Sequence, residues 1–216
     1  MRRFREIYSV AAPWLMPNVD TDIITPMRRL ILNNSQLDYY SFESFRFING
    51  DGDSGIRNPD FPLNQAKYQQ AEIMIVGENF GCGSSRETAP EAISKCGIHC
   101  LLGSSFGGIF YKNCFQQGVL PIVFPREQIE KYAELAAVGG KFRVSLVDEL
   151  IQLPTGENVS FSIESFRKTA LLEGLDEVDV TLRSEHLIHA YFEADRINRP
   201  WLYWNQDDGL KEEDSI

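Results

Sequence analysis

The chain has 216 residues, 43% of them apolar and 24% charged, with a formal net charge of −10. That length suits one domain with room for an extension, and the apolar share supports a sizeable core. No apolar run approaches the ~18 residues of a membrane span, the basic start Met1-Arg2-Arg3-Phe4-Arg5-Glu6 lacks the apolar stretch of a signal peptide, and the acidity argues against nucleic acid, so a cytoplasmic protein is expected.

Arg5–Val10 predicts a first strand. Residues 11–26 read as a loop with three prolines carrying Asp20-Thr21-Asp22, whose aspartates suit an Asx-turn before a helix. Met27–Leu32 turns helical. Residues 33–70 are polar and aromatic, and Gly50-Asp51-Gly52-Asp53-Ser54-Gly55 invites a calcium reading. The later bidentate glutamate of a calcium loop is missing, so a turn is expected there. The stretch 72–124 alternates strand 72–77, helix 84–95, strand 98–103, helix 106–117 and strand 119–124. That order implies βαβ units and a parallel sheet, with ligands bound beyond the carboxyl ends of its strands. Further on, 126–138 reads as a helix ending at Gly139-Gly140. Residues 141–147, 150–153 and 159–163 read as strands, with a hairpin turn at Thr155-Gly156-Glu157-Asn158. Helices are expected at 164–173 and 184–196, and from Asn205 the chain becomes an acidic tail.

Between the first βαβ strand and its helix lies Gly77-Glu78-Asn79-Phe80-Gly81-Cys82-Gly83-Ser84-Ser85-Arg86-Glu87. Glycines there let a ligand approach the backbone. Ser84 and Glu87 have the S-x-x-E spacing of a capping box, and a helix N-terminus favours an anion. Arg86 adds a planar fork suited to a carboxylate or phosphate, and two serines offer hydroxyls. A tight turn before a capped helix explains the same residues without chemistry. No lysine follows the glycines as a P-loop requires, and Gly81-x-Gly83 runs on to Arg86 rather than to the third glycine of a dinucleotide fingerprint. Cys82, Cys96, Cys100 and Cys114 have no zinc spacing and read as packing thiols. A rival enzyme reading starts from Gly103-Ser104-Ser105-Phe106-Gly107, which fits the G-x-S-x-G of a serine hydrolase. Asp148 or Asp176 and then His186 or His189 follow in the right order. A non-catalytic module built on the anion pocket is a third reading.

The stretch Glu78–Glu87 resembles the motif of the swivelling domain in the aconitase superfamily, and within it the small-subunit family of isopropylmalate dehydratases. Asn18-Val19-Asp20-Thr21-Asp22-Ile23-Ile24, Asn58-Pro59-Asp60-Phe61-Pro62-Leu63-Asn64, Ser105-Phe106 with Ile109–Asn113, Phe166-Arg167-Lys168 and Gly174-Leu175-Asp176 are similar to its other signatures, in order. The resemblance implies an α/β fold, the aconitase-type swivelling β/β/α domain with a mainly parallel sheet flanked by helices. It would span residues 1–204, with a tail at 205–216. The activity implied is that of a hydro-lyase subunit in leucine biosynthesis. It would isomerise 2- and 3-isopropylmalate by dehydration and rehydration. It would act only with a large subunit that carries a [4Fe–4S] cluster, as a heterodimer or larger, with no cofactor or metal on this chain and a small dicarboxylate as substrate. Ser84 matches the family's base, working as an alkoxide. Ser85 and Arg86 support that charge, Arg86 grips a substrate carboxylate, and Thr21 and Asp22 face the cleft. The region near residues 28–40 is linked to substrate choice. Two departures bear on the substrate: Pro26 is followed by Met27-Arg28-Arg29 where the family has a lysine, and Thr88 stands where it has a histidine. A methylated malate or a citraconate-type acid is the alternative substrate.

Overall fold

A computed structural model describes residues 3–33, 36–83 and 86–203. Contacts divide the chain after Leu175 into two compact units, Met1–Leu175 and Asp176–Ile216. The acidic tail expected from residue 205 lies outside the described residues.

The first strand, β1 (Ile7–Trp14), runs four residues further than its sequence suggested, through the stretch read as loop. Pro13 is compatible with a strand here because residues 11–14 pair on one side only, with the next parallel strand, while residues 7–10 pair with another. After it come α1 (Thr21–Ile24) and α2 (Met27–Asn33). Asp20 caps α1, its carboxylate accepting the Ile23 N–H at 2.7 Å. Among its described residues the polar and aromatic region holds two further one-turn helices, α3 (Leu37–Tyr40) and α4 (Glu43–Arg46), and short 3-10 turns at Ile48–Gly50, Gly52–Ser54, Pro62–Asn64 and Ala66–Tyr68. Asp51 closes one of these turns by accepting the Asp53 and Ser54 N–H groups, so the Asp-x-Asp-x-Gly spacing makes a turn.

Strand β2 (Ile73–Val76) leads into the glycine loop and then α5 (Thr88–Lys95). This helix starts four residues later than the Ser84–Glu87 spacing predicts. Glu87 occupies the N-cap position with helical dihedrals and makes no side-chain cap bond. Next come β3 (Cys100–Gly103), α6 (Gly108–Gln116), β4 (Leu120–Val123) and α7 (Arg126–Ala137). They are followed by β5 (Lys141–Ser145), β6 (Leu150–Gln152), β7 (Asn158–Ser160) and α8 (Ser165–Glu173). In the second unit α9 (Glu177–Leu182) precedes α10 (Glu185–Asn198). The sequence reading did not anticipate α9. Its signal is an acidic capping box, with Asp176 and Asp179 each accepting the other's backbone N–H.

One seven-stranded sheet results, in the order β4-β3-β2-β1-β5-β6-β7. From β1 to β4 the pairing is parallel, as the βαβ alternation requires, and β5, β6 and β7 extend it as an antiparallel ribbon. Strands β2 and β3 are buried along their whole length, which is why they read as unbroken apolar runs. Ile73 and Ile75 enter one core with Ile129 and Tyr132 of α7 and Leu171 of α8. Met74 and Val76 enter the other with Ile24 of α1, Ile93 of α5 and Phe110 of α6. In β5 only Phe142 and Val144 are fully buried, between exposed Lys141 and Arg143, so the ribbon alternates. Among the described residues no helix is long and apolar enough to cross a membrane.

Candidate functional site

At the carboxyl ends of β1, β2 and β3 three loops are tied into one platform by their backbones. The Asn18 N–H donates to Glu78 O at 2.8 Å, Gly81 N–H to Val19 O at 2.7 Å, and Thr21 N–H to Cys82 O at 2.9 Å. The third loop joins through Phe80 N–H to Ser105 O at 3.1 Å and Gly107 N–H to Phe80 O at 2.9 Å. Such close approach leaves no space for a Cβ at Gly77, Gly81 or Gly107. At Gly81, which has φ +72°, a Cβ would lie 2.1 Å from the Phe110 ring; at Gly107 it would lie 2.3 Å from Gly81 O. Asn18 and Asn79 both take left-handed dihedrals, φ 55° each, and the Asn79 amide donates to the Asn18 side chain at 2.9 Å. This asparagine brace was not singled out in the sequence, although Asn is the non-glycine residue most at ease there.

The platform orients α1 and the start of α5. Asp22, exposed on α1, forms an ion pair with Arg86 Nη1. The Arg86 side chain is 18% exposed, and the rest of its fork has no partner among the described residues. Thr21 is buried at the first turn of α1. Arg86, Asp22 and Thr21 are thus brought together, while Ser84 and Ser85 lie outside the described residues. Thr88 opens α5. Its carbonyl accepts from Thr25 Oγ1 at 3.5 Å, and its own hydroxyl oxygen is sealed from solvent with no hydrogen-bond partner among the described residues.

Ser105 belongs to the brace. Its Oγ accepts the Asn79 N–H at 2.8 Å, and its φ is not positive, unlike the strained turn of a nucleophile elbow. Asp148 follows β5, which meets β1 at Ile7, so it sits at the opposite end of the sheet from Ser105, hydrogen-bonded to Ser145 at 2.6 Å. In the second unit Asp176 caps α9 and His189 contacts Glu185 at 3.6 Å. Within the first unit, Asp148 is therefore not placed as an acid partner for Ser105.

Beside the platform, α2, α4 and the turn at 51–54 share a buried charge network that pattern reading did not find. Glu43, 1% exposed, accepts Arg29 Nε at 3.0 and 3.1 Å and the Gly52 N–H at 3.0 Å, and pairs with Arg28 at 2.9 Å. Arg29 also reaches Asp53 at 2.8 Å, and Tyr40 donates to the same oxygen at 3.1 Å. Burial pushes Glu43 up, but the Arg29, Gly52 and Arg28 donors outweigh it and hold its carboxyl below the ordinary value. The Arg29 bond likewise holds Asp53 down, and both carboxylates raise Arg29. Arg29 is thus committed inward, whereas Arg28, with 61% of its side chain exposed, and Met27 face solvent. Burial raises the Cys100 and Cys114 thiols, while Cys82 and Cys96 are half-buried. Among the described residues no three His, Cys, Asp or Glu side chains gather as a metal set.

Several comparisons bear on this geometry. The model of the family described as the aconitase C-terminal domain matches residues 1–127, which ends just beyond β4. The 3-isopropylmalate dehydratase small subunit of Rhodospirillum centenum is 43% identical over 204 residues, covering 93% of this chain and 98% of that protein. The same subunit from Saccharophagus degradans is 40% identical over 212 residues, covering 94% and 98%. A crystal structure of 3-isopropylmalate dehydratase from Methanocaldococcus jannaschii superposes with a TM-score of 0.58 at 27% identity, covering 87% of this chain and 99% of that one.

Proposed function

Because the chain belongs to the 3-isopropylmalate dehydratase small-subunit family, we propose that its platform supplies the base and one carboxylate contact for that hydro-lyase. The reaction isomerises 2- and 3-isopropylmalate by dehydration and rehydration in leucine biosynthesis, with a large subunit as partner. Taking a proton from a carbon next to a carboxylate pushes charge onto an already anionic group, so cationic donors must be in place beforehand. Arg86 is suited to that task. Its fork is mostly enclosed, held by Asp22 through one nitrogen, and otherwise without a partner among the described residues, at the carboxyl end of a parallel sheet. This is the observation that carries the proposal. Ser84, two residues before Arg86, takes the proton as an alkoxide, with Ser85 and Arg86 stabilising its charge. Asp22 aims Arg86, and Thr21 keeps α1 seated on the Cys82 carbonyl. The large subunit's [4Fe–4S] cluster supplies, when bound, a Lewis acid for the departing hydroxyl. The product of these roles is an enzyme active only as an assembled pair in the cytoplasm.

Reconstitution with the large subunit tests this reading. Ser84→Ala should assemble normally and lose turnover by at least about a hundredfold, the lower end for a positioned base. Ser105→Ala should keep most activity, and neither serine should react with a fluorophosphonate. Full turnover by assembled Ser84→Ala would remove the base assignment. A panel of C2-substituted malates in the same assay identifies the preferred substrate.

A further inference from the structure

Two contacts join α1 to the start of α5. Asp22 pairs with Arg86, and Thr25 Oγ1 donates to the Thr88 carbonyl at 3.5 Å. The second contact involves a residue with an anomaly. The Thr88 hydroxyl oxygen is buried and makes no hydrogen bond among the described residues, although its own backbone carbonyl is engaged. A buried hydroxyl without a partner is worse for stability than a methyl group of the same shape. Folded proteins keep very few such groups, and each asks for an explanation. The packing of α5 does not need the hydroxyl, since Ala89, Ala92 and Ile93 carry its buried face. Arg86, two residues earlier, has the complementary deficit: a guanidinium with five N–H donors and, among the described residues, one acceptor, Asp22 Oδ1.

We infer that Thr88 is a positioning residue for Arg86. When a substrate carboxylate takes the outer edge of the guanidinium, the fork shifts off its contact with Asp22, and Thr88 Oγ accepts one of its remaining N–H groups. The hydroxyl thus favours the substrate-bound orientation of Arg86 over the free one. The inference rests on the role proposed above for Arg86, and it assigns Thr88 no contact with substrate.

Thr88→Val keeps the shape and removes the hydroxyl; Thr88→Ser keeps the hydroxyl. Each is compared with wild type as free small subunit and as the reconstituted complex. Thr88→Val should melt at or above the wild-type temperature, assemble normally, and raise KM at least fivefold with kcat changed less than twofold. Thr88→Ser should restore KM to within twofold of wild type. In an Arg86→Lys background, Thr88→Val should add no further rise in KM, because the interaction it removes is already gone. A lower melting temperature for Thr88→Val would overturn the inference by showing the hydroxyl satisfied in the free chain. So would a wild-type KM, or an undiminished effect in the Arg86→Lys background. Wild-type complex inactive on every substituted malate would instead sink the proposed function itself.

Discussion

Two neighbouring regions of the first unit are held by opposite means. The platform at the ends of β1, β2 and β3 is fastened by backbone hydrogen bonds across glycines with no room for a side chain. The segment from α2 to the turn at 51–54 is fastened by side-chain charge, with Glu43 buried between two arginines. Backbone fastening gives a fixed geometry that tolerates no added atom and is indifferent to pH. Charge fastening tolerates changes of shape but depends on every partner, because a buried charge left alone costs far more than the pair gains. The chemistry proposed for Arg86 needs fixed geometry, and it is the platform that seats Thr21 and Asp22.

The sharpest break in that comparison is Gly81→Ala. With a Cβ placed 2.1 Å from the Phe110 ring, the change should cost on the order of 4–5 kcal/mol, in the range that marks a structural clash. Loss of soluble folded chain is the expected readout. Gly108→Ala, where nothing lies within 4 Å, is the control and should express normally.

Next comes Glu43→Gln, which removes the buried charge shared by Arg28 and Arg29 and leaves Arg29 with Asp53 alone among the described carboxylates. A loss of about 3–5 kcal/mol in urea unfolding is expected. A loss below about 1 kcal/mol would mean that water already reaches the network.

Arg86→Lys keeps the charge and loses the fork. In the reconstituted enzyme kcat/KM should fall by the equivalent of about 1.5–3 kcal/mol, the scale of a charged hydrogen bond. A value within twofold of wild type would show that Arg86 does not hold substrate.

The gentlest test is pH. Glu43 and Asp53 have carboxyls held below their ordinary values in the folded chain. Their contribution is therefore full above the ordinary carboxylate range and lost as pH falls through the lowered values. Amide exchange in residues 27–55 should accelerate on acidification before exchange in 77–83 does. Simultaneous loosening of both would erase the contrast drawn here.

The parallel half of the sheet was legible because β2 and β3, buried on both faces, leave unbroken apolar runs, and because α6 and α7 begin and end within two residues of their sequence signals. The far half of β1 was not, since Pro13 argues for a loop unless one knows that the strand has a free side there. The start of α5 was misjudged because Ser84 and Glu87 have capping-box spacing while the helix begins at Thr88. Arg86 and Asp22 were singled out through motif resemblance, and they form an ion pair, while their role in the chemistry is the proposal made above. The charge network was invisible for a simpler reason: Arg29 meets Glu43 fourteen residues away and Asp53 twenty-four residues away, and no local pattern encodes either meeting.

The division of β1 between two partners also sets an order of events as the chain emerges from the ribosome. Its second half, with β2, β3 and β4, can be complete once residue 123 is free. Its first half must wait for β5, because Ile7 pairs with Val144. At roughly 5–20 residues per second, that wait lasts about one to four seconds. During it Ile7, Ser9 and their neighbours form a bare sheet edge, the kind of edge that recruits stray strands. Slowed synthesis between residues 123 and 145 would lengthen that exposure, so the yield of soluble chain depends on translation speed across a stretch that contributes no residue to the site.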